Sequence, residues 1–234
     1  MTAAERMAAL LLAARAGGRL VDAASEPAPA SLDEAYRVQD LVLKRARPGA
    51  WKAIPPRPGS APAASPVPAA CVLRSPASMP APRMLLGVEA EIAFRLGAGL
   101  EPQEALAAIE LCETRLSGWD SAPALWKLAD FQSNAALIVG SGTASWKGID
   151  FGAQQVEVVV NGARAAGAVG GHPAGDPSRL LPWLREHCAG RGGLRPGDIV
   201  TTGSWVGIVK VAPGDEIEAR FAGIGACRLR LRMP

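Results

Sequence analysis

The spacing of apolar and polar positions divides the chain into a short helical beginning and a long succession of strands. Residues 3–16 place Met7, Leu10, Leu11 and Ala14 on one helix face, and Gly17-Gly18 stops the pattern. Ser31 and Glu34 form a capping-box signature opening a second helix, striped by Val38, Leu41 and Val42 and closed by Arg47-Pro48-Gly49. Trp51-Lys52 begins a strand. Pro55 to Pro68 is rich in Pro, Ala and Ser and reads as a flexible loop, positioned to act as a lid. From Cys71 onward the pattern is mainly of short strands, interrupted by a helix that starts at Pro102 and runs almost directly into Glu110. Val156 to Val160 alternates and meets Asn161-Gly162, a type I′ hairpin signal. Asp176-Pro177 caps a helix reaching about Cys188, and Pro182 predicts that it is kinked or starts late. Residues 198–202, 207–211, 216–221 and 226–233 give four more strands between Gly and Pro turns. Strands with few helices predict an α+β chain, mainly β, with an antiparallel or mixed sheet core. The expected division is a helical segment over 1–50 and a β-rich catalytic core over 51–234.

The densest chemistry lies in residues 88–96. In a strand Glu89 and Glu91 point to one face, while Val88, Ala90 and Ile92 fill the other. Met84-Leu85-Leu86 before the pair and Ile92-Ala93-Phe94 after it predict that the segment is buried. Two adjacent buried carboxylates raise each other's pKa and need a positive partner, for which an oxygen-preferring divalent cation, Mg2+ or Mn2+, is the natural candidate. Glu110, set among apolar residues, supplies a third carboxylate, with Glu113 on the opposite face. A salt-bridged core glutamate, paired with Arg115, is the competing reading of Glu110. Three glutamates around one Mg2+ leave positions for a bidentate oxygen pair, which suits a 2-oxo acid.

Composition narrows the classes. With 234 residues the chain can build one substantial core, and a net charge of +3 with 20% charged residues gives no reason to expect nucleic acid or a membrane as partner. The stripe Arg228, Arg230, Arg232 alternates with Cys227, Leu229 and Leu231, the solvent face of a terminal strand. Cys71, Cys112, Cys188 and Cys227 are scattered and there is no convincing export signal, so reduced thiols in a cytoplasmic protein are expected. No apolar run reaches the roughly 20 residues that span a bilayer. His172, in a Gly/Pro loop, and His187, on the exposed side of a helix, read as structural. The apolar faces of the N-terminal helices and the terminal strand predict a homo-oligomer.

Glu89-Ala-Glu91-Ile-Ala-Phe, Ile109-Glu110-Leu with Arg115, Leu128-Ala-Asp130 and Gly197-Asp198-Ile-Val-Thr-Thr-Gly203-Ser204 together resemble the 2-keto-4-pentenoate hydratase branch of the fumarylacetoacetate hydrolase family. The resemblance runs from about Leu10 to the C-terminus and lies in the order and spacing of the motifs. It implies a folded-over β-sandwich roll preceded by helices, and Mg2+ or Mn2+ held by Glu89, Glu91 and Glu110. It also implies that Lys52 faces the site as the catalytic cation, balancing charge and holding the substrate carboxylate or enolate. Asp130, Ser133, Asn134 and Ser204 are then substrate-binding candidates. Two positions depart from the family: Ala53-Ile54 lacks a glycine after Trp51-Lys52, and Arg74 stands where an acid is expected. Arg74 is read as a clamp for a second substrate carboxylate. The implied activity is hydration of a 2-oxo-4-enoate in aromatic-compound catabolism. A 4-oxalocrotonate decarboxylase-like or acylpyruvate hydrolase-like enzyme is the alternative, and the other class is a non-catalytic binding or assembly partner.

Overall fold

Two β-sheets pack face to face, and helices cover the outer side of the larger one. The computed structural model describes residues 1–44, 46–56 and 60–233. The chain opens with α1 (Ala3–Arg15), β1 (Val21–Asp22) and α2 (Leu32–Leu43). Thr2 and Glu5 cap α1 reciprocally, while Ser31 caps α2 by accepting from the Glu34 N–H and the Glu34 carboxylate accepts from Ala30 instead. Lys44, in the left-handed conformation, ends α2, so Pro48 already belongs to β2 (Pro48–Ile54). The loop expected over 55–68 is strand in its second half: β3 (Ala63–Pro68) pairs antiparallel with β2. Residues 57–59, within the 55–68 stretch expected to act as a lid, lie outside the described residues.

Next come β4 (Val72–Arg74), β5 (Ala77–Pro80), β6 (Leu85–Leu96) and β7 (Pro102–Glu113). The helix expected from Pro102 does not form. Ala105, Ala107 and Ala108 suit a helix locally, but pairing with β6 along nearly the whole strand and with a further strand on its other edge overrides propensity. β8 (Leu116–Ser117), α3 (Ala124–Ala129), β9 (Asn134–Thr143), β10 (Gln155–Val160) and β11 (Ala163–Val169) follow. Asn161 and Gly162 have φ of 51° and 80°, the left-handed pair of the expected type I′ hairpin between β10 and β11. α4 (Leu181–Ala189) starts late, after a 3-10 turn capped by Asp176, which puts Pro182 harmlessly in its first turn. The chain ends with β12 (Ile199–Ser204), β13 (Glu216–Phe221) and β14 (Gly225–Arg232). Residues 207–211 make only a bridge from Val209 to Val88.

Of the two packed sheets the larger has the order β3-β2-β12-β6-β7-β9-β4 and the smaller β11-β10-β13-β14-β5, while β1 and β8 form a separate two-stranded parallel pair. Both are mixed: β2–β12, β4–β9 and β5–β14 are parallel pairs within otherwise antiparallel sheets. Val88, Ala90, Ile92 and Phe94 of β6 meet Val156, Val158, Ile217 and Leu229 in the core between the sheets. This is the α+β, mainly β architecture that the strand pattern predicted. The other face of β6 looks toward the helices, and α2 reaches the same region: Gln39 donates from its buried amide to Ser65 of β3 and to the Leu128 carbonyl. Among the described residues no helix is long and apolar enough to cross a membrane.

Candidate active site

Alternation along β6 and β7 builds the site. Glu89 and Glu110 are register partners across the two strands, and Glu91 lies two residues beyond Glu89 on the same face. Lys52 reaches them from β2: its Nζ is 2.7 Å from both Glu110 carboxylate oxygens, donating to Oε1, and 3.9 Å from Glu89 Oε2. Gln132 O lies 3.4 Å from the same ammonium, so the turn after α3 closes over it. Glu91 is completely buried, and its Oε2 accepts from the Gly203 N–H at 3.0 Å. Gly203 has φ of 101°, and a Cβ there would fall 2.8 Å from Pro55 Cδ, so only glycine presents this N–H without strain.

The charges do not balance. Three carboxylates share one ammonium, and burial, followed by the neighbouring Glu110, pushes the Glu91 carboxyl well above its ordinary value. Burial also raises Glu89, against the pull of Lys52. For Lys52, burial alone would lower the pKa, but Glu110, Glu89 and Glu91 outweigh it and raise it. The buried acceptors Glu91 Oε1 and Asn134 Oδ1 have no hydrogen bond among the described residues, and Glu110 Oε2 meets only the Lys52 ammonium at 2.7 Å. Oxygen-rich, over-negative and under-hydrogen-bonded, these groups have the chemistry that suits a hard divalent cation.

The other sequence candidates divide. Asn134 joins the group, donating from Nδ2 to Glu110 Oε1 at 3.1 Å. Ser204 is the register partner of Glu91, but its hydroxyl donates to the Gly207 carbonyl. Ser133 accepts the Trp119 indole N–H at 2.8 Å. Asp130 does not face open space: it accepts from Arg115 Nε at 2.5 Å and from the Arg115 backbone N–H at 3.0 Å. Burial raises the Asp130 pKa and Arg115 opposes that. Arg115 thereby serves Asp130 rather than Glu110. Arg74 is exposed on the edge strand β4 and makes no hydrogen bond or ion pair to another described residue. Glu113 stands apart, 3.7 Å from Arg115.

Several groups near the site had no site role in the sequence reading. Thr201, register partner of Lys52, has a buried hydroxyl without a hydrogen bond. Cys112 follows Glu110 at the same two-residue spacing that links Glu89 to Glu91, and its Sγ lies 3.8 Å from Glu89 Oε2. Phe131, Gln132 and Ser133 have φ of 57°, 51° and 63°, a left-handed run with no glycine in it. His172 is buried behind Gly203; it accepts from the Ala174 N–H at Nδ1, so Nε2 donates to the Thr202 carbonyl at 2.9 Å. A surface hollow of about 630 Å3 lies instead on the outer face of the five-stranded sheet. Its lining charges, among them Glu218 with Arg220 and Arg228, are already paired, so its size does not make it the better site.

Comparison with known proteins relates the chain to others by sequence and by fold. The profile of the fumarylacetoacetate (FAA) hydrolase C-terminal family matches residues 116–232, half of the chain. Lys52 and the three glutamates precede that match. The TodF product hydratase of Pseudomonas putida F1 is 32% identical over 154 residues, 59% of this chain and 56% of that protein. The 2-hydroxyhexa-2,4-dienoate hydratase of Comamonas testosteroni is 27% identical over 154 residues, 61% and 58% of the two chains. The aligned part therefore spans less than two thirds of these relatives. Among solved structures, 4-oxalocrotonate decarboxylase from Pseudomonas putida G7, complexed with calcium and acetate, superposes with a TM-score of 0.82 at 20% identity, covering 99% of this chain and 98% of that one. Fumarylpyruvate hydrolase from Pseudomonas aeruginosa, in complex with Mn2+ and pyruvate, gives a TM-score of 0.54 at 16% identity over 79% and 89%.

Proposed function

Because the chain belongs to the fumarylacetoacetate hydrolase family, we propose that it is a divalent-cation-dependent lyase of small 2-oxo acids, a hydratase of a 2-oxo-4-enoate. The observation that carries this reading is the row Glu89, Glu91, Glu110 with Lys52 beside it, three carboxylates against one ammonium. The names of the related hydratases support the choice of substrate class.

A bound Mg2+ or Mn2+ supplies Lewis-acid attraction for the 2-oxo group and adjacent carboxylate of the substrate. The chain's own groups do the rest. Lys52, held between Glu110 and the Gln132 carbonyl, turns its ammonium to the substrate oxygen where enolate charge develops. The Gly203 N–H keeps Glu91 in place. Asn134 Oδ1, buried without a hydrogen bond next to Glu110, is an acceptor that orients substrate or water by a hydrogen bond. Asp130 and Arg115 brace the turn that roofs Lys52, since Arg115 also donates to the Asp130 and Asn134 carbonyls. In this reading residues 1–50 form a helical segment that covers the catalytic face of the 51–234 core. The protein works as a cytoplasmic homo-oligomer, a reading supported by its free thiols and by exposed Leu32 and Met84.

Calorimetry with Mg2+ and oxalate, a flat mimic of the chelating end of a 2-oxo acid, tests the reading with Glu91→Gln beside wild type. Oxalate binding that requires both Mg2+ and Glu91 is expected, followed by turnover of 2-oxo-4-enoates. Cation-independent oxalate binding, or none, sinks it.

A further inference from the structure

The same sheet face carries a fourth donor of different chemistry. Glu110 and Cys112 occupy alternate positions on β7 as Glu89 and Glu91 do on β6, so all four side chains stand on one face. Cys112 is buried, and its Sγ together with one carboxylate oxygen each from Glu89 and Glu110 lies in a group whose members are all within 4.8 Å of one another. Glu91 does not belong to that group. Glu110 Oε2 is buried, and among the described residues the Lys52 ammonium at 2.7 Å is the one group it meets, so a cation seated here takes the place of that contact. With the proposed hard-cation site, two overlapping seats share Glu89 and Glu110. One is completed by Glu91 and is all oxygen; the other is completed by sulfur.

Cation chemistry separates the seats. Mg2+ and Mn2+ favour oxygen and gain little from a thiol, whereas Zn2+, Co2+ and Cd2+ favour thiolate and accept three protein ligands with an open fourth position. We propose that Cys112, with Glu89 and Glu110, forms a second seat that takes thiophilic divalent cations in competition with the hard-cation seat. Binding replaces the S–H bond of Cys112 by a sulfur–cation bond and releases one proton to solvent, with no change of oxidation state. Zinc-class cations then displace the working cation while leaving Glu91 unligated, which makes the protein sensitive to them through one residue. This inference rests on the reading of the three glutamates as the hard-cation site.

The test is spectroscopic. Wild type loaded with Co2+ is expected to show near-ultraviolet sulfur-to-cobalt charge-transfer absorption, retained in Cys71→Ser and lost in Cys112→Ser. Bound Mn2+, followed by electron paramagnetic resonance, is expected to be displaced by Zn2+ at least about 10-fold less readily in Cys112→Ser, the lower end of what losing even an outer-shell partner costs. X-ray absorption of Zn2+-loaded wild type and Cys71→Ser needs no change at Cys112: one sulfur at about 2.3 Å supports the seat, and a shell of oxygen and nitrogen alone overturns it. Mn2+ binding without cobalt–sulfur absorption in wild type overturns this inference and leaves the proposed function standing. Failure of wild type to bind Mn2+ removes both.

Discussion

Glu89 and Glu110 stand directly opposite each other on β6 and β7, and Lys52 serves both, 2.7 Å from Glu110 and 3.9 Å from Glu89. Like charges at opposed positions destabilise a strand pair. Here they lie in the middle of the larger sheet, with Glu91 adding a third carboxylate and no other cation within ion-pair distance of the three among the described residues. Lys52 therefore has two effects that oppose each other: it stabilises the cation-free fold and competes with a divalent cation for the same oxygens.

Lys52→Met separates these effects. The cation-free variant should lose about 3–5 kcal/mol of stability, the usual result of leaving a buried charge without its partner. Mg2+ should bind it more tightly than wild type and restore more of the stability, because the competing ammonium is gone. Urea unfolding with and without Mg2+ reads both quantities. An equal Mg2+ response in the two proteins would show that Lys52 and the cation do not share ligands.

Gly203→Ala should weaken cation binding through Glu91. The new Cβ meets Pro55 at 2.8 Å and the residue is forced to φ of 101°, so the N–H that holds Glu91 Oε2 must move. A loss of about 1–3 kcal/mol is expected from the backbone alone. Gly162→Ala is the control: its φ is 80°, nothing lies within 4 Å, and it sits in the remote β10–β11 hairpin. Both variants should melt earlier, and only Gly203→Ala should bind Mn2+ less tightly.

Alternation made the pairing of Glu89 with Glu91 legible, because side chains two apart on a strand share a face whatever the rest of the fold does, whereas Glu110 joined them only as a carboxylate set among apolar residues and through resemblance. Lys52 was legible only through resemblance; nothing local to Trp51-Lys52 says that an ammonium 58 residues from Glu110 bonds to it. The helix expected from Pro102 failed because alanine-rich β7 takes its structure from two neighbouring strands that lie elsewhere in the chain. Asp130 looked the same in sequence whether it faced substrate or Arg115, and the left-handed run Phe131–Ser133 carries no glycine to announce it. Cys112 reads as an ordinary core thiol until the register of β6 against β7 puts it beside Glu89.

Asp130→Asn should cost stability and leave the cation alone. Arg115 spends its guanidinium on the Asp130 carboxylate and on the Asp130 and Asn134 carbonyls, all buried. Removing the negative partner strands that cation, an effect of about 3–5 kcal/mol. Urea unfolding should show the loss, while Mn2+ affinity of the folded protein at low temperature stays near wild type. A selective loss of oxalate or 2-oxo acid binding with stability intact would instead return Asp130 to the substrate.

His187 sets an acid-side limit on stability. The ring is not on an exposed helix face as expected: it is half-buried, stacked on Trp183 at 5.0 Å and tilted against Tyr36 at 4.5 Å. Arg191 Nη1 donates to Nε2 at 2.9 Å, which fixes the neutral ring with its proton on Nδ1. Burial first, and then Arg191, lower its pKa from 6.5 to about 4, with Asp40 opposing. The unfolded chain takes up this proton near pH 6.5 and the folded protein only near pH 4, so between those values the unfolded state binds more protons. The contribution of His187 is therefore complete above pH 6.5, falls as the pH drops toward 4, and is flat below. His187→Gln keeps an acceptor for Arg191 and removes the titration. Urea midpoints of wild type and variant should run parallel above pH 7 and separate between pH 6.5 and 4, with wild type falling more steeply; parallel curves throughout would show that the ring titrates alike in both states.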